Sequence, residues 1–404
     1  MRLVVLTIGD ELLRGDVIDT NAAWLGERLL RLGHVVSARI SVGDAVDDIV
    51  RALVEIGARA DVAVVSGGLG PTADDRTAEA AAGAADVGRV MHEPSLARIH
   101  ERFARLGLTM TPNNVTQALL PEGAVPLPND HGTAPGFALL VGGCRCYFLP
   151  GVPRELRPMF DTSVAPQLGG APLFSRTLRV FGMGESYVDH ALGDVGKGEV
   201  SVHYQTRFPE NLVKLLSRDG AALARVEADV RARLGSSVYG TDGDSLATVV
   251  GVALRAKEAT LALAESLTGG LVGHLLTEIP GASDYLRGAI VAYSNDAKEA
   301  LLGVPRDVLV RYGAVSDETA RAMAEGARRA FGTTFGVATT GIAGPGGGTV
   351  EKPVGTFHVA VAGPEGAIAR HRVYPGDRER IKILAAWSAL DLLRHFLADV
   401  GARE

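Results

Sequence analysis

The chain has 404 residues, 47% of them hydrophobic and 22% charged, with a formal net charge of −6. This is a globular composition long enough for two or three domains. The negative balance gives no support to a nucleic-acid or anionic-membrane partner, and no stretch approaches the roughly 18 apolar residues of a membrane span. Residues 2–8 (RLVVLTI) read as a buried strand, and acidic residues follow it too early for a signal peptide. The spacing predicts a helix over 20–33, capped by Thr20 or Asn21 and ended by Gly33. A strand over 34–40, a helix over 45–57 and a strand over 61–66 complete a βαβαβ order, which implies a parallel, right-handed α/β sheet. Two helical patterns, about 94–106 and 112–120, precede a hairpin-like pair, FALLV and RCYFLP, and a helix beginning near Pro153.

Cys144 and Cys146 lie two apart on the second hairpin strand and so share a face. No bridge is expected across that spacing, and no histidines at ligand spacing make them a zinc site. They fit buried packing positions in a reducing cytosol, and a cytoplasmic protein is expected. A Gly/Pro-rich break at 165–175 leads to a compact β-α-β-β-α unit, closed by the Gly-, Asp- and Ser-rich stretch 236–245. The last segment opens with a helix over 246–258. It then alternates LALAES, GAIVAYS, FGVATTG, TFHVAVAG and IARHRVY with helices, and ends in a long helix from about 377 to 398. The expected domains are 1–168, 172–240 and 245–404. The expected fold class is α/β: two α/β sandwich domains with mostly parallel sheets, joined by a small α+β domain.

Two regions carry chemistry. SGGLGPTADDRT (66–77) leaves its strand directly, so Gly67, Gly68, Gly70 and Thr72 let backbone N–H groups approach phosphate oxygens. The paired carboxylates Asp74 and Asp75 just beyond could hold a divalent cation bridging those oxygens. GDELLRG (9–15) adds Gly9, Asp10 and Glu11 at the same carboxyl edge, where open parallel sheets place ligands. GTAPG (132–136), with Gly132 and Thr133, and PGVPRE (150–155) are further backbone-exposing loops. Glycines also make plain turns and Asp74 can cap a helix, but four such loops favour a nucleotide or phosphate site. It is no Walker motif, since no GK[ST] follows the glycines. Which carboxylates ligate stays open.

The second region is AESLTGG (264–270). Its serine ends an apolar strand just before a glycine pair and an apolar helix, a strand-to-helix corner that exposes a hydroxyl beside backbone donors. A hydroxyl needs a base, and the lysine of YSNDAK, desolvated so that its pKa falls, can serve. Ser266 and Lys298 are the leading catalytic pair, against the alternatives of a helix N-cap and a solvated first-turn lysine. Tyr293 ends the strand leading to Lys298, placed to orient either the lysine or a substrate ring, or simply to pack. TTGIAGPGGG (339–348) runs a strand into a glycine-dense loop suited to an anionic group. No histidine is spaced to build a triad with Ser266, and no cofactor is expected in this domain.

AESLTGG, YSNDAKEALLGVP, YGAVSDETARAMAEGARR, TGIAGPGGGTVEKPVGT and GDRERIK together resemble the C-terminal domain of the competence/damage-inducible protein CinA family. That domain is similar to bacterial nicotinamide mononucleotide (NMN) deamidases, which implies hydrolysis of the NMN carboxamide by a Ser/Lys dyad. The resemblance implies NMN binding by Thr268, Gly269, Gly270, Thr340, Gly341, Gly344 and Gly346, with Arg378, Arg380 or Lys382 on its phosphate. Where the family commonly has cysteine after the serine, this chain has Leu267, so the serine keeps the nucleophile's role.

The N-terminal region resembles the molybdopterin-binding domain family, in the branch that opens CinA proteins, and implies metal-dependent pyrophosphate cleavage of ADP-ribose. The family's GGxG and acidic pair fall on Gly67, Gly68, Gly70, Asp74 and Asp75, with Asp75 at the aspartate that follows the turn. PxNNxxQA falls on Pro112, Asn113, Asn114 and Gln117. The middle unit resembles the family's KH-type linker domain. Its GDVG (193–196) nominally fits an RNA-binding clamp, but residues 171–245 carry 9 Lys/Arg against 10 Asp/Glu. A phosphate-tracking surface needs net positive charge, so a spacer or dimerisation role, in a homodimer, is expected instead.

Overall fold

The computed structural model describes residues 1–171, 173–196 and 198–401, except the side chains of 399–401. It divides into two compact units, residues 1–174 and 175–404.

In the first unit, β1 (Leu3–Ile8) lies between β2 (Val36–Val42) and β3 (Val62–Ser66), all parallel. A short antiparallel pair, β4 (Arg89–Met91) with β5 (Leu119–Pro121), stands apart. The main sheet continues through β6 (Val125–Leu127), β7 (Gly136–Val141) and β8 (Cys144–Leu149) in the order β2-β1-β3-β8-β7-β6. β8 runs parallel to β3 and antiparallel to β7. Alternation along β1 builds two cores. Val4, Leu6 and Ile8 pack with Ile49, Leu53 and Ile56 of the helix Val46–Arg59. Leu3 and Val5 pack on the opposite face with Leu25 and Leu29 of the helix Thr20–Arg31. The sheet is therefore covered on both sides, as apolar parallel strands require.

Three local expectations are corrected. The helix Thr20–Arg31 is capped by Asp19, whose carboxylate accepts from the Ala22 N–H at 2.8 Å. Asn21 instead turns inward and donates to Ser66 Oγ and the Gly151 carbonyl. GDELLRG is not all loop, because Asp10–Arg14 forms a helical turn closed by Gly15 in the left-handed region. The helix expected to reach 120 stops at Thr116, since residues 119–121 pair with β4 and so satisfy their backbone in a ladder. Cys144 and Cys146 are buried free thiols.

The second unit holds two sheets. β9 (Phe174–Val180), β10 (Ser201–Arg207), β11 (Glu210–Ser217) and β12 (Val238–Thr241) form an antiparallel-rich sheet ordered β10-β11-β9-β12. Helices Glu185–Leu192 and Gly220–Leu234 pack on it. Asp194, inside GDVG, pairs with Arg233, which puts a carboxylate at the nominal clamp. The other sheet comprises β13 (Leu261–Glu265), β14 (Leu286–Val291), β15 (Phe335–Gly341), β16 (Thr356–Gly363) and β17 (Gly366–Val373), ordered β14-β13-β15-β16-β17. The first three are parallel and the last two are joined antiparallel.

Here too alternation splits the core. Leu261 and Leu263 face the helices Leu246–Ala256 and Arg378–Gly401, while Ala262 and Ala264 face the helix Asp317–Phe331. The alanines suit the close approach that Gly326 makes against the Leu302 carbonyl, where any Cβ would collide. No helix among the described residues is long and apolar enough to cross a membrane.

Candidate active site

The period of two on β13 decides what meets at its end. Glu265 continues the Leu261/Leu263 face, toward the helix Leu271–Thr277. Ser266 continues the Ala262/Ala264 face, against which the helix Asn295–Leu302 packs through Leu302. Lys298, on that helix, therefore reaches the serine: Nζ lies 3.2 Å from Ser266 Oγ. Lys298 is 1% exposed and Ser266 8%. Nζ also donates to the Ala292 carbonyl at 3.0 Å and the Tyr293 carbonyl at 3.5 Å. Burial pushes its pKa down from the ordinary lysine value. A neutral amine has two N–H groups and one lone pair. With both N–H groups on backbone carbonyls, the lone pair is left for the serine's proton. Ser266 is no N-cap, and the helix carrying Lys298 is capped by Ser294.

Glu265, which sequence reasoning passed over, is 1% exposed. Its carboxylate accepts the N–H groups of Gly270 (2.9 Å), Val272 (3.1 Å) and Gly273 (2.8 Å). It thereby caps the helix that follows the corner and pins the glycine pair. The Gly269 N–H is spent on the Ser266 carbonyl at 3.1 Å. Gly269 and Gly270, expected as donors to substrate, thus serve as a turn, at φ 62° and 98°. The signal for Glu265 was an acidic residue ending an otherwise apolar strand, shortly before a helix.

The remaining expected residues divide. Thr268 Oγ1 bonds Thr339 Oγ1 at 2.7 Å, and Thr340 Oγ1 donates to the Ala314 carbonyl at 2.6 Å, so both hydroxyls hold neighbouring segments. Gly341 is required by close packing, since a Cβ there would strike Phe357 and the Thr356 carbonyl. At Gly346 a Cβ would meet open space. The Tyr293 side chain is 62% exposed, and it is the residue's carbonyl that touches the lysine. Arg378 bridges two loops, donating to the Tyr293 hydroxyl at 2.9 Å and to the Gly344 carbonyl at 2.6 Å. Lys382, one turn on, brings Nζ beside Gly269. Arg380, between them on the other helix face, lies over the Phe208 ring at 4.9 Å. Among the described residues Ser266 Oγ bonds no histidine. His358 pairs instead with Asp317 at 2.7 Å.

In the first unit the glycine turn sits at the carboxyl edge. A Cβ on Gly67 would strike the Ile8 carbonyl, and one on Gly68 the Thr77 hydroxyl. Asp75 closes the turn on itself, accepting from Thr72 N–H (2.9 Å) and Oγ1 (2.5 Å). Asn114 completes a capping box with Thr111, and Gln117 Nε2 reaches the Leu69 carbonyl. Gly9 donates its N–H to the Val42 carbonyl. Asp10 exchanges backbone-to-carboxylate hydrogen bonds with Asp44, at 3.0 and 3.1 Å. Burial pushes the Asp44 carboxyl up, and the charges of Asp10, Glu11 and Asp74 push the same way. Asp44 was missing from the sequence expectation, although it lies in the loop after β2 at the same edge. No three ionisable ligands converge into a formed cage among the described residues. Asp10 also pairs with Arg14 at 2.5 Å, so the crowding by like charges falls chiefly on Asp44; an all-oxygen donor set of this kind suits a hard divalent cation.

Fold and sites define an α/β protein of two units, one with a phosphate-type glycine turn beside carboxylates, the other with a buried Ser/Lys pair. The "Probable molybdopterin binding domain" family matches residues 4–170, the "Damage-inducible protein CinA KH domain" 175–240 and the "CinA C-terminal domain" 243–397. A CinA-like protein of Anaeromyxobacter sp. (strain Fw109-5) is 47% identical, over 98% of both chains. Another, of Myxococcus xanthus (strain DK1622), is 44% identical over 98% of this chain and 99% of its own. A crystal structure of competence/damage inducible protein CihA from Agrobacterium tumefaciens is 40% identical over 38% of this chain and 93% of its own, with a TM-score of 0.37. The chain belongs to the CinA family.

Proposed function

We propose that the C-terminal domain hydrolyses the carboxamide of NMN to nicotinic acid mononucleotide and ammonia. The observation that carries this reading is the 3.2 Å contact between Ser266 Oγ and a buried lysine whose pKa is lowered. Ser266 Oγ attacks the amide carbon while Lys298 Nζ takes its proton. The tetrahedral intermediate collapses as that proton passes to the departing nitrogen, and ammonia leaves. Water then attacks the acyl-serine, again losing its proton to Lys298, and the carboxylate and free serine result. With the Gly269 and Gly270 N–H groups committed, the glycine-dense loop 343–348 is the other expected source of donors for the oxyanion. Arg378 and Lys382 are the cations assigned to the phosphate, Arg378 because its present partners are neutral oxygens. Ammonia release from NMN by the purified protein, lost in Ser266→Ala, tests the reading. Full activity in that variant overturns it.

A second activity, metal-dependent cleavage of the ADP-ribose pyrophosphate, is supported by the glycine turn 67–70 lying at the carboxyl edge where Asp10 and Asp44 exchange hydrogen bonds. With no three carboxylates converging among the described residues, Asp74 and one of the Asp10/Asp44 pair would hold the divalent cation together with the substrate's own phosphate oxygens, and it would neutralise charge on the pyrophosphate. The glycine turn 67–70 would seat phosphate oxygens, and Asp75 would hold that turn.

A further inference from the structure

The antiparallel-rich sheet of the second unit ends in an aromatic turn that reaches the start of the last helix. β10 and β11 pair as far as Arg207 and Glu210, so Phe208 and Pro209 form the turn between them. Such turns ordinarily carry small polar residues, and a ring placed there needs partners to leave water. Phe208 has two. The Tyr374 ring, just past β17, lies 5.9 Å away at a tilt of 34°, and the Arg380 guanidinium lies 4.9 Å over the Phe208 ring.

The turn is also held at its base. Glu210, 5% exposed, accepts from the Tyr239 hydroxyl at 2.5 Å and pairs with Arg179 at 3.2 Å. Tyr239 in turn meets Trp387 edge-on. Arg380 and Trp387 are seven residues apart and so share one face of the helix Arg378–Gly401, which the small sheet grips at both places. Arg378 and Lys382, four apart, share another face. On that face Arg378 reaches the Tyr293 hydroxyl and the Gly344 carbonyl, and Lys382 Nζ lies beside Gly269. Helix ends fray first, and this end carries both cations assigned to the phosphate. Tyr374 also donates its N–H to the Gly355 carbonyl at 3.0 Å, so the ring beneath Phe208 belongs to the segment that backs the glycine-dense loop.

We propose that Phe208 is a positioning residue of the C-terminal site: the turn holds Arg380 and Tyr374, and thereby fixes Arg378 and Lys382 where the substrate's phosphate binds. The inference rests on the deamidase reading and adds to it a residue from outside the matched C-terminal domain, 243–397. Steady-state deamidation of NMN by the full chain tests it. Phe208→Ala should raise KM about fivefold with kcat unchanged, because the contact with Arg380 is lost while the Ser/Lys pair is untouched. Phe208→Tyr, which keeps the ring face, should restore the wild-type KM. If Phe208→Ala melts earlier than wild type, Phe208→Leu keeps the bulk without the ring face and should still raise KM. A wild-type KM in both Phe208→Ala and Phe208→Leu would overturn the proposal. So would a fall in kcat at unchanged KM, the mark of a turn that serves the fold alone. A wild type that releases no ammonia from NMN would instead overturn the deamidase reading, and this inference with it.

Discussion

Lys298 is a buried lysine, and in the proposed mechanism its protonation state sets the rate as well as contributing to stability. Below its lowered pKa the lone pair is lost, so deamidation should rise with pH along a limb centred below the ordinary 10.5. A kcat/KM profile checks this, and a limb at or above 10.5 excludes the desolvated base. Stability has the same sign. The unfolded chain keeps the ordinary value and binds more protons between the two pKa values, so stability rises with pH across that window and falls toward acid. Lys298→Met removes the amine but keeps its stem. It should cost about 10²–10⁴-fold in rate while leaving the melting temperature equal or higher, most visibly at acid pH. Ser266→Ala should cost at least about 10³-fold with the fold intact. A Lys298→Met that melts earlier than wild type would place the lysine's main role in packing.

At the scale of the element, the strand-to-helix corner depends on Glu265. Its carboxylate satisfies three N–H groups at the start of the helix Leu271–Thr277, and each unsatisfied buried donor costs about 1–3 kcal/mol. Glu265→Ala should therefore lower stability by on the order of 2–4 kcal/mol and loosen the serine, lowering kcat. Glu265→Gln, which keeps one acceptor oxygen, should fall between. Denaturant titration with steady-state rates checks both, and wild-type stability in Glu265→Ala would rule out the clamp. This corner also marks how far sequence reading reached. Alternating apolar strands and glycine loops carry the fold and the Ser266/Lys298 pair, because both follow from local pattern and strand order. Glu265 was missed because an acceptor's worth depends on which N–H groups surround it, and that is settled only by tertiary packing. The same holds for Asp44, and for the helix faces that direct Arg378 and Lys382 to the site while Arg380 meets Phe208.

At the scale of the molecule, the elements of the proposed deamidase site all lie beyond residue 260, yet the core beneath them does not. Phe181 lies tilted against Trp387 of the long C-terminal helix at 5.5 Å, Tyr239 meets that ring edge-on at 5.9 Å, and Arg394 donates to the Ser236 carbonyl. A fragment 175–404 should therefore deamidate NMN with the full chain's kcat. A fragment 243–404 should keep the rate but melt earlier, because it exposes Trp387. Equal melting of the two fragments would show that contact to be idle.

The same separation extends to metal. Nothing in the Ser/Lys chemistry needs a cation, whereas cleaving a pyrophosphate at the glycine turn does, so EDTA should stop ADP-ribose hydrolysis and leave NMN deamidation unchanged. Asp74 and Asp75, adjacent in sequence, should fail differently. Asp75 accepts from both the Thr72 N–H and its hydroxyl and so shapes the turn, while Asp74, its carboxyl held low chiefly by the Thr72 hydroxyl, is also among the charges crowding Asp44. Magnesium should raise the melting temperature of wild type and of Asp75→Asn, but not of Asp74→Asn, although both variants lose ADP-ribose cleavage. The reverse pattern would move the cation to Asp75 and leave Asp74 as a plain turn residue.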